Sequence, residues 1–380
     1  MSIRFLNKSH SGNNTNTLNI FVQEDEPVSK DGIWLQGDYE VENILADENI
    51  FASEEWNSTK TLKDIPYNFK SGSIVNIGTD AYLFGGTGNT KAAYKYDTIA
   101  DTYTQLTDIP FAFQYGSAEA VKNDIYLFGG TSNPNVAYKY DTITDTYSQL
   151  TDIPYTFQYG LVKAVDTDIY LFGGQKSTRN TYKYNTINDS YISLASIPYD
   201  CFAGSVANIG NILYIFGSNT MYQMTKAYKY NATTNEYTKL TDIPSSFYYG
   251  ASVAIGNYIY LFSENSVYKY DVINDTYSQL TNIPKNCMYC SLAFNGKDIL
   301  LFGGNSQPKK VQVMSMIPNE YPDKSIVISQ GNYSQKTYIG NIGISNSKFY
   351  YDRVYYNEVT GQLRNDIPVY NGNGTQWVQI

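Results

Sequence analysis

The feature that most constrains how this sequence folds is a phrase that returns about every 44 residues. "YKYDTIADTYTQLTDIP" occupies residues 94–110, and near-copies occupy residues 138–154 and 268–284. An apolar run that ends in phenylalanine recurs with it, as in "YLFGG" at residues 126–130. Periods of about 40 to 50 residues are typical of units that bury their apolar faces against neighbouring copies. The phenylalanines of these runs are Phe84, Phe128, Phe172, Phe216, Phe262 and Phe302.

Each period contains four short segments with the character of strands. In the second period they are residues 115–121, 124–130, 136–141 and 146–150, called strands a to d. Strands c and d alternate apolar and polar residues, which predicts half-buried strands, whereas the apolar run of strand b predicts burial between neighbouring repeat units. The "DTITD" between c and d predicts a turn, because Asp and Thr side chains hydrogen-bond to nearby backbone. No segment has sustained helical periodicity, so the predicted fold class is all-β.

The residues that end strand b and follow it carry a family resemblance. Gly129 and Gly130 end strand b of the second period, and Tyr140 and Tyr147 follow at fixed distances. This pattern resembles the kelch repeat over roughly residues 56–318, and the resemblance implies a β-propeller. Kelch repeats usually carry tryptophan at the last of these positions. This chain departs from that uniformly and carries Tyr103, Tyr147, Tyr191, Tyr237 and Tyr277.

The pattern also has a physical interpretation. Glycines after strand b let the backbone turn tightly where blades crowd together. The strand-d aromatic is expected to fill the wedge between adjacent blades. Phe84, Phe128 and Phe172 are expected to pack in the core rather than bind a ligand, since large apolar residues in such strands are mostly buried.

The number of strands predicts how the ring closes. The sixth period has strands a, b and c but no strand d before Pro318. Residues 57–62, "NSTKTL", stand where a strand d is expected, so we predict that they complete the sixth blade and remove its open edge. The prediction is a six-bladed kelch-type β-propeller closed by an N-terminal strand. The predicted parts are an N-terminal attachment segment (1–55), the propeller (56–318) and a C-terminal β-rich module (319–380).

Two flanking segments carry a second resemblance. "EDEPVSKDGIWLQ" (24–36) and "PVYNGNGTQWVQI" (368–380) are similar to attachment segments of phage tail and receptor-binding proteins from Gram-positive hosts. The resemblance implies a component of a virion or tail-like particle, with other tail or baseplate proteins as partners. The alternative is that Trp34 and Trp377 are ordinary core aromatics among turn residues.

Composition excludes some partners. The chain has 36 Asp and Glu against 27 Lys and Arg, a formal net charge of −9. Nucleic-acid binding needs clustered cations, so nucleic acid is not expected as a partner. "MSIRFLNKSHSGNN" has no apolar region of a secretory signal. No apolar run approaches the roughly 18 residues that suggest a membrane span. We therefore expect synthesis in the bacterial cytoplasm without a signal peptide, and no membrane insertion.

Side chains for catalysis or metal binding are sparse. His10 is the only histidine, which argues against a catalytic triad and a site of several imidazoles. Among the arginines only Arg179 lies in the blades, which argues against a sialidase-type carboxylate site. Asp141 and Asp145 recur in the c–d turns, which favours a structural role, while carboxylate pairs for glycoside hydrolysis stay open. We predict no catalytic residues, no metal and no cofactor.

The cysteines give no strong signal. Cys201, Cys287 and Cys290 are an odd set without the density of a disulfide framework. Cys287 and Cys290 have CxxC spacing, but positions i and i+3 of a strand face opposite sides, so the thiols are predicted to diverge. A lone CxxC without a second pair disfavours a redox or zinc role.

Strand order assigns the loops to two faces. Strand b ends where c begins and d ends where the next a begins, so the b–c and d–a loops share one face, called the crown. The a–b and c–d turns share the opposite face, called the turn face. Loops on the turn face repeat, whereas crown loops vary, and loops on a rigid scaffold are where binding residues concentrate. The predicted ligand-binding residues of the crown are Lys70, Gln114, Tyr115, Gln158, Tyr159, Phe202, Tyr248, Tyr249 and Tyr289.

Aromatic rings beside amide side chains suit the stacking and hydrogen bonding that a sugar needs, although these tyrosines could instead only pack around the central channel. The sequence therefore predicts a non-enzymatic binding protein of a phage tail or tail-like particle. Its crown would recognise a polysaccharide or protein on the surface of a Gram-positive bacterium. The alternative is a structural or protein-interaction scaffold without glycan contact. A third hypothesis is that the protein is a carbohydrate-active enzyme that uses carboxylates.

Overall fold

The computed structural model describes most of the repeated region and a set of strands on either side of it. The described residues form 36 β-strands, numbered β1–β36 along the chain, and no helix. In this part of the chain, no helix has the length and apolar character that a membrane crossing needs. The described residues are 2–6, 17–23, 31–36, 40–44, 51–57, 60–220, 222–318, 326–329, 336–339, 342–345, 348–351, 355–357, 362–363, 369–373 and 377–379.

The chain divides into two compact units, one formed by Ser53–Ile317 and the other by Met1–Ala52 with Pro318–Ile380. The second unit, built from both flanks, contains two five-stranded sheets, ordered β1-β2-β3-β35-β36 and β34-β33-β30-β29-β4, and the hairpin β31-β32. Its N-terminal strands are β1 (Ser2–Leu6), β2 (Thr17–Gln23), β3 (Asp31–Gln36) and β4 (Glu40–Ile44). Its C-terminal strands are β29 (Ile326–Ser329), β30 (Lys336–Ile339), β31 (Ile342–Ser345), β32 (Lys348–Tyr351), β33 (Tyr355–Asn357), β34 (Gln362–Leu363), β35 (Val369–Asn373) and β36 (Trp377–Gln379).

One pairing in the flanking unit joins the two segments that resemble attachment segments. Strand β3 pairs antiparallel with β35, and Trp34 lies opposite Tyr370 in the register. Residues far apart in the sequence therefore belong to one sheet. The remainder of the two resembling segments, residues 24–30, 368, 374–376 and 380, lies outside the described residues.

The unit Ser53–Ile317 is a ring of six four-stranded sheets, the blades, and this confirms the predicted six-bladed, all-β propeller. The innermost strands contact one another in a closed circuit in which the last meets the first. Blade 1 comprises β6 (Ser73–Ile77), β7 (Asp80–Phe84), β8 (Ala93–Asp97) and β9 (Thr102–Gln105); blade 2 comprises β10 (Ser117–Val121), β11 (Asp124–Phe128), β12 (Ala137–Asp141) and β13 (Thr146–Gln149). Blade 3 comprises β14 (Leu161–Val165), β15 (Asp168–Phe172), β16 (Thr181–Asn185) and β17 (Ser190–Ser193).

The remaining three blades have the same order. Blade 4 comprises β18 (Ser205–Ile209), β19 (Ile212–Phe216), β20 (Ala227–Asn231) and β21 (Glu236–Lys239); blade 5 comprises β22 (Ala251–Ile255), β23 (Tyr258–Ser263), β24 (Ser266–Asp271) and β25 (Thr276–Gln279). Blade 6 comprises β26 (Cys290–Phe294), β27 (Asp298–Gly303), β28 (Val311–Pro318) and the N-terminal strand β5 (Phe51–Trp56).

The core lies between adjacent blades, as the buried strand b and the aromatic of strand d predict. Phe84 of blade 1 is fully buried and packs edge-on against Tyr140 of blade 2, with ring centroids 5.7 Å apart. Tyr147, the strand-d aromatic, packs on Tyr140 at 4.8 Å and belongs to the same cluster. Phe128 and Phe172 are also fully buried in the clusters between the next blades.

The glycine after strand b allows a close approach between blades. Gly129 has a φ of +70°, and its backbone runs against the connection that leads into blade 3. A Cβ added there would lie 1.9 Å from the carbonyl oxygen of Phe157. Only a residue without a side chain fits this position, which explains the repeated glycine.

The repeated turn fastens each blade to the one before it. Asp141 accepts hydrogen bonds from the amides of Ile143 and Thr144, which shapes the turn. Asp145 accepts from the Tyr140 hydroxyl at 2.7 Å and from the Thr107 amide of blade 1 at 2.9 Å. Burial alone would raise the pKa of Asp145, but these hydrogen bonds hold it below its ordinary value. Both carboxylates thus serve the turn and the blade junction.

The closing strand lies earlier in the sequence than predicted. The prediction placed it at residues 57–62, whereas the structure places β5 at Phe51–Trp56 and turns the chain at Asn57, whose side chain accepts from the Lys60 amide. In "FASEEW", the described side chains of Glu54 and Trp56 pack on blade 5, with Trp56 edge-on to Phe262 at 6.3 Å. These contacts with blade 5 explain why the earlier segment forms the strand.

Candidate functional site

The crown is assembled because the d–a and b–c loops of each blade are tied to each other. In blade 1 the amide of Thr87 donates to the carbonyl of Lys70, and in blade 3 the amide of Gln175 donates to that of Gln158, both at 2.9 Å. Blades 4 and 6 repeat this bond, from Asn219 to Phe202 and from Asn305 to Met288. These bonds put the two kinds of loop on one face, as the strand order predicts.

Six residues, one from each blade, form a ring where the innermost strands begin. Each stands five residues after the proline of the preceding "IP" and has a positive φ between 46° and 64°. Each amide donates to the carbonyl of the same position in the preceding blade, from 2.7 to 3.1 Å, and the sixth bond closes the circle. The ring, called the mouth, consists of Ser71, Tyr115, Tyr159, Ala203, Tyr249 and Tyr289.

The four tyrosines of the mouth pack on one another. Tyr115 stacks on Tyr159 at 4.3 Å between ring centroids, and Tyr249 packs on Tyr289 at 4.1 Å. Tyr159 meets Tyr249 edge-on at 5.7 Å, across the small Ala203. All four side chains are half-buried, so the mouth offers aromatic surface to a ligand as well as packing.

Two hydroxyls of the mouth, those of Tyr159 and Tyr289, are held as neutral phenols. Burial, followed by a hydrogen bond with Tyr115 that favours the protonated form, raises the pKa of Tyr159. Burial, followed by the proximity of Tyr249, raises the pKa of Tyr289 to about 12. Neutral phenols both donate and accept hydrogen bonds, which suits the hydroxyls of a sugar.

Five of the predicted residues stand one position before a mouth residue in the sequence, and they border the mouth. Lys70 lies with its Nζ 4.8 Å from the Tyr289 ring centroid and donates to Asn305 at 2.7 Å. The Gln114 amide donates to Thr87 at 3.0 Å. The Tyr248 hydroxyl donates to Glu264 at 2.8 Å.

Gln158 and Phe202 likewise stand four residues after the proline of an "IP", and Phe202 contacts Tyr159 edge-on at 6.4 Å. The structure thus gathers all nine predicted residues at the crown, while their role in binding stays a prediction.

Sequence reasoning missed several members of the crown. Ser71 and Ala203 occupy the mouth positions of blades 1 and 4, and the fixed offset from proline identifies them once the periods are aligned. Asn219 donates to the Tyr249 hydroxyl at 2.8 Å from a b–c loop, a contact that the sequence does not show. Tyr222, on the longest b–c loop, is 85% exposed with a φ of +68°. In the sequence, only the length of that loop indicates that Tyr222 belongs to the crown.

The turn face has a different character. Four turns present an isoleucine to solvent at the same position, although large apolar residues on a monomer surface usually stand singly. They are Ile99 (79% exposed), Ile143 (79%), Ile187 (76%) and Ile273 (58%).

The prediction that the CxxC thiols diverge is wrong. Cys287 precedes strand β26 rather than lying on it, and a turn brings the Cys290 amide to 2.7 Å from the Cys287 carbonyl oxygen. The two thiols are buried, and the proximity of Cys290, with burial, raises the pKa of Cys287. The assumption of a continuous strand failed because the positive φ of Tyr289 folds the chain back.

Across the described ranges, no group of three or more His, Cys, Asp or Glu side chains could hold a metal ion. His10 lies outside the described residues.

The sequence model of the family described as KLHDC2/KLHL20/DRC7 Kelch-repeats domain matches residues 73–264, which span the first four blades and half of the fifth. No curated protein matches the chain. The solved structure of YjhT is similar, with a TM-score of 0.57 at 15% sequence identity, over 70% of this chain and 96% of that one. A likeness at this identity concerns the fold alone.

Proposed function

Because the chain belongs to the family of the KLHDC2/KLHL20/DRC7 Kelch-repeats domain, we propose that it is a non-enzymatic binding protein whose crown holds a surface saccharide. A kelch propeller suggests a binding scaffold, but the fold alone does not name a ligand. The observation that carries the proposal is the mouth of four mutually packed tyrosines, half-buried and bordered by amide side chains.

The chemistry of the mouth supports a saccharide in particular. Sugars present apolar C–H faces and a rim of hydroxyls, so they need flat aromatic surface next to groups that donate and accept hydrogen bonds. The tyrosine rings supply the surface, and the phenols, Gln114 and Asn219 supply the polar groups. Preformed loops tied by backbone hydrogen bonds lower the ordering cost of binding.

The setting that we propose is the surface of a Gram-positive bacterium, contacted by a phage tail or tail-like particle. Two segments of the flanks, residues 24–36 and 368–380, support this through their resemblance to attachment segments of such particles. In this proposal the protein resides in the particle after synthesis in the bacterial cytoplasm. Its partners are other tail or baseplate proteins and a cell-surface polysaccharide.

The alternative function is a protein-interaction scaffold without saccharide contact. The exposed isoleucines of the turn face favour it, since repeated apolar side chains on one face are a common signature of protein contacts. In such a scaffold the turn face, and not the crown, would carry the partner.

The test compares retention of the purified protein on Gram-positive cell walls before and after their polysaccharide is removed. We expect retention that depends on the polysaccharide. Replacing Tyr115, Tyr159 and Tyr249 together with alanine should lower the affinity at least about 30-fold, since a central aromatic contact typically contributes about 2 kcal/mol or more. The corresponding phenylalanine variant should lose less, because it keeps the aromatic surface.

Ile143→Ala, on the turn face, is the control and should bind like the wild type. Thermal unfolding of each variant verifies that the propeller is intact. Full retention of the triple alanine variant would contradict the crown assignment. Turnover of the polysaccharide would indicate an enzyme. No retention, together with loss of particle assembly in Ile143→Ala, would favour the scaffold.

A further inference from the structure

The series of ring contacts around the mouth is interrupted at blade 1. Consecutive mouth tyrosines contact each other from Tyr115 through Tyr159 and Tyr249 to Tyr289. Within the described blades, no ring contact joins Tyr289 to Tyr115, because Ser71 stands between them. Ser71 has a φ of +61°, matching 62° at Tyr115 and 64° at Tyr289, so it holds the ring position of a tyrosine with a much smaller side chain. The result is a notch in the wall of the mouth.

The notch has an unused hydrogen-bonding group. The Ser71 Oγ is buried and has no hydrogen-bond partner in the protein, while the whole residue is only 9% exposed. The backbone of Ser71 is fully engaged, since its amide donates to Tyr289 and its carbonyl accepts from Tyr115. A buried hydroxyl without a partner is costly and rare in native proteins, and a ligand atom that bonds to it relieves that cost.

The notch also has a cation beside it. The Lys70 ammonium sits 4.8 Å from the centroid of the Tyr289 ring and donates one hydrogen bond, to the neutral amide of Asn305. Within the part of the chain that the structure describes, no carboxylate forms an ion pair with it. Three other cations of the inner strands and crown are paired with carboxylates: Lys163 with Glu119, Arg179 with Asp200 and Lys226 with Asp242.

From these observations we infer that Lys70 and Ser71 form a subsite for an anionic group of the saccharide. An ammonium has three donors, of which Lys70 uses one, and a ligand oxyanion can take another while accepting from the Ser71 hydroxyl. The sugar ring that carries the anion then lies against Tyr115 and Tyr289, on either side of the notch. The ligand class is an acidic saccharide, bearing a carboxylate or a phosphate, and this inference rests on the proposed binding of saccharide at the crown.

The test uses the wall polysaccharide and two neutralised forms of it. In one form the carboxylates are converted to alcohols, and in the other the phosphates are removed. The variants are Lys70→Gln, which installs the residue that blades 2 and 3 carry at this position, and Ser71→Tyr, which installs the residue of four other blades. Both substitutions are compatible with the fold because other blades already contain them. Lys122→Met, exposed on the turn face, removes one charge away from the crown and is the control.

We expect Lys70→Gln to lower the affinity for the untreated polysaccharide about tenfold, in line with loss of a charged hydrogen bond, and to weaken its dependence on salt. Ser71→Tyr should fill the notch and lower the affinity at least as much. Lys122→Met should have no effect. One neutralised form should bind the wild type about as weakly as the untreated polysaccharide binds Lys70→Gln, and that form identifies the anion as carboxylate or phosphate.

Equal affinity of the wild type and Lys70→Gln for every form would overturn the subsite while leaving the crown proposal intact. No binding of any form would overturn both. Binding of a peptide with a free terminal carboxylate, lost on amidation and in Lys70→Gln, in place of the polysaccharide would assign the subsite to a polypeptide and also overturn this inference.

Discussion

Replacing Gly129 with alanine is expected to lower the free energy of unfolding by at least about 3 kcal/mol, among the largest effects of any single substitution in the blades. The Cβ of the new residue would lie 1.9 Å from the Phe157 carbonyl oxygen, which belongs to the backbone of the next blade junction. Backbone cannot move aside without separating the blades, and the positive φ of +70° adds strain for any residue with a side chain.

Gly210→Ala is the matched control for this prediction. Gly210 also has a positive φ, +55°, but an added Cβ there would meet nothing within 4 Å. Its cost should be limited to the backbone strain, about 1 kcal/mol. Denaturant unfolding of the two variants separates the cost of the steric overlap between blades from the cost of the backbone strain. Equal losses at both positions would show that the close approach between blades does not stabilise the ring.

Breaking the charge pair of the closing strand is expected to have the second large effect. Glu54 of β5 accepts from the Lys269 ammonium and from the Tyr260 hydroxyl, both at 2.7 Å. The side chains of Glu54 and Lys269 are only 9% and 17% exposed. Glu54→Ala therefore leaves a poorly solvated ammonium and a buried hydroxyl without their partner, and we expect a loss of about 3 kcal/mol or more.

Two controls isolate the buried charge in this experiment. Asp64→Ala removes an ion pair with Lys310 whose side chains are 50% and 52% exposed, and it should cost at most about 1 kcal/mol. The double variant Glu54→Leu with Lys269→Met replaces both charges with apolar groups and should recover most of the loss. If the Glu54→Ala loss does not exceed that of Asp64→Ala, β5 does not hold the ring closed through this pair.

Much of the fold could be predicted because the repeats report the same structure several times. The observed strands of blade 2 fall within the predicted segments, since the alternation in "YKYD" and the apolar run in "YLFGG" match the burial of strands c and b. The closing strand was misplaced for the opposite reason. It occurs once, and its function depends on contacts with Lys269 and Phe262, more than 200 residues away.

The site was less predictable than the fold. Strand order alone assigned Tyr115, Tyr159 and Tyr249 to one face. The contacts among them depend on the positive φ of each mouth residue, which a tyrosine, serine or alanine does not signal in a sequence. The same backbone conformation at Tyr289 brings Cys287 and Cys290 together, which reversed the prediction made from a regular strand. The importance of Ser71 came from its missing hydrogen bond, a property of the folded chain only.

Hydrogen–deuterium exchange with and without Gram-positive wall polysaccharide shows directly whether the crown is the binding surface. We expect slower exchange in the peptides that contain the mouth residues, above all those around Tyr115, Tyr159 and Tyr249. The turn peptides around Ile99 and Ile143 should exchange at unchanged rates. Protection on the turn face, or no protection anywhere in the propeller, would rule out the crown as the binding surface.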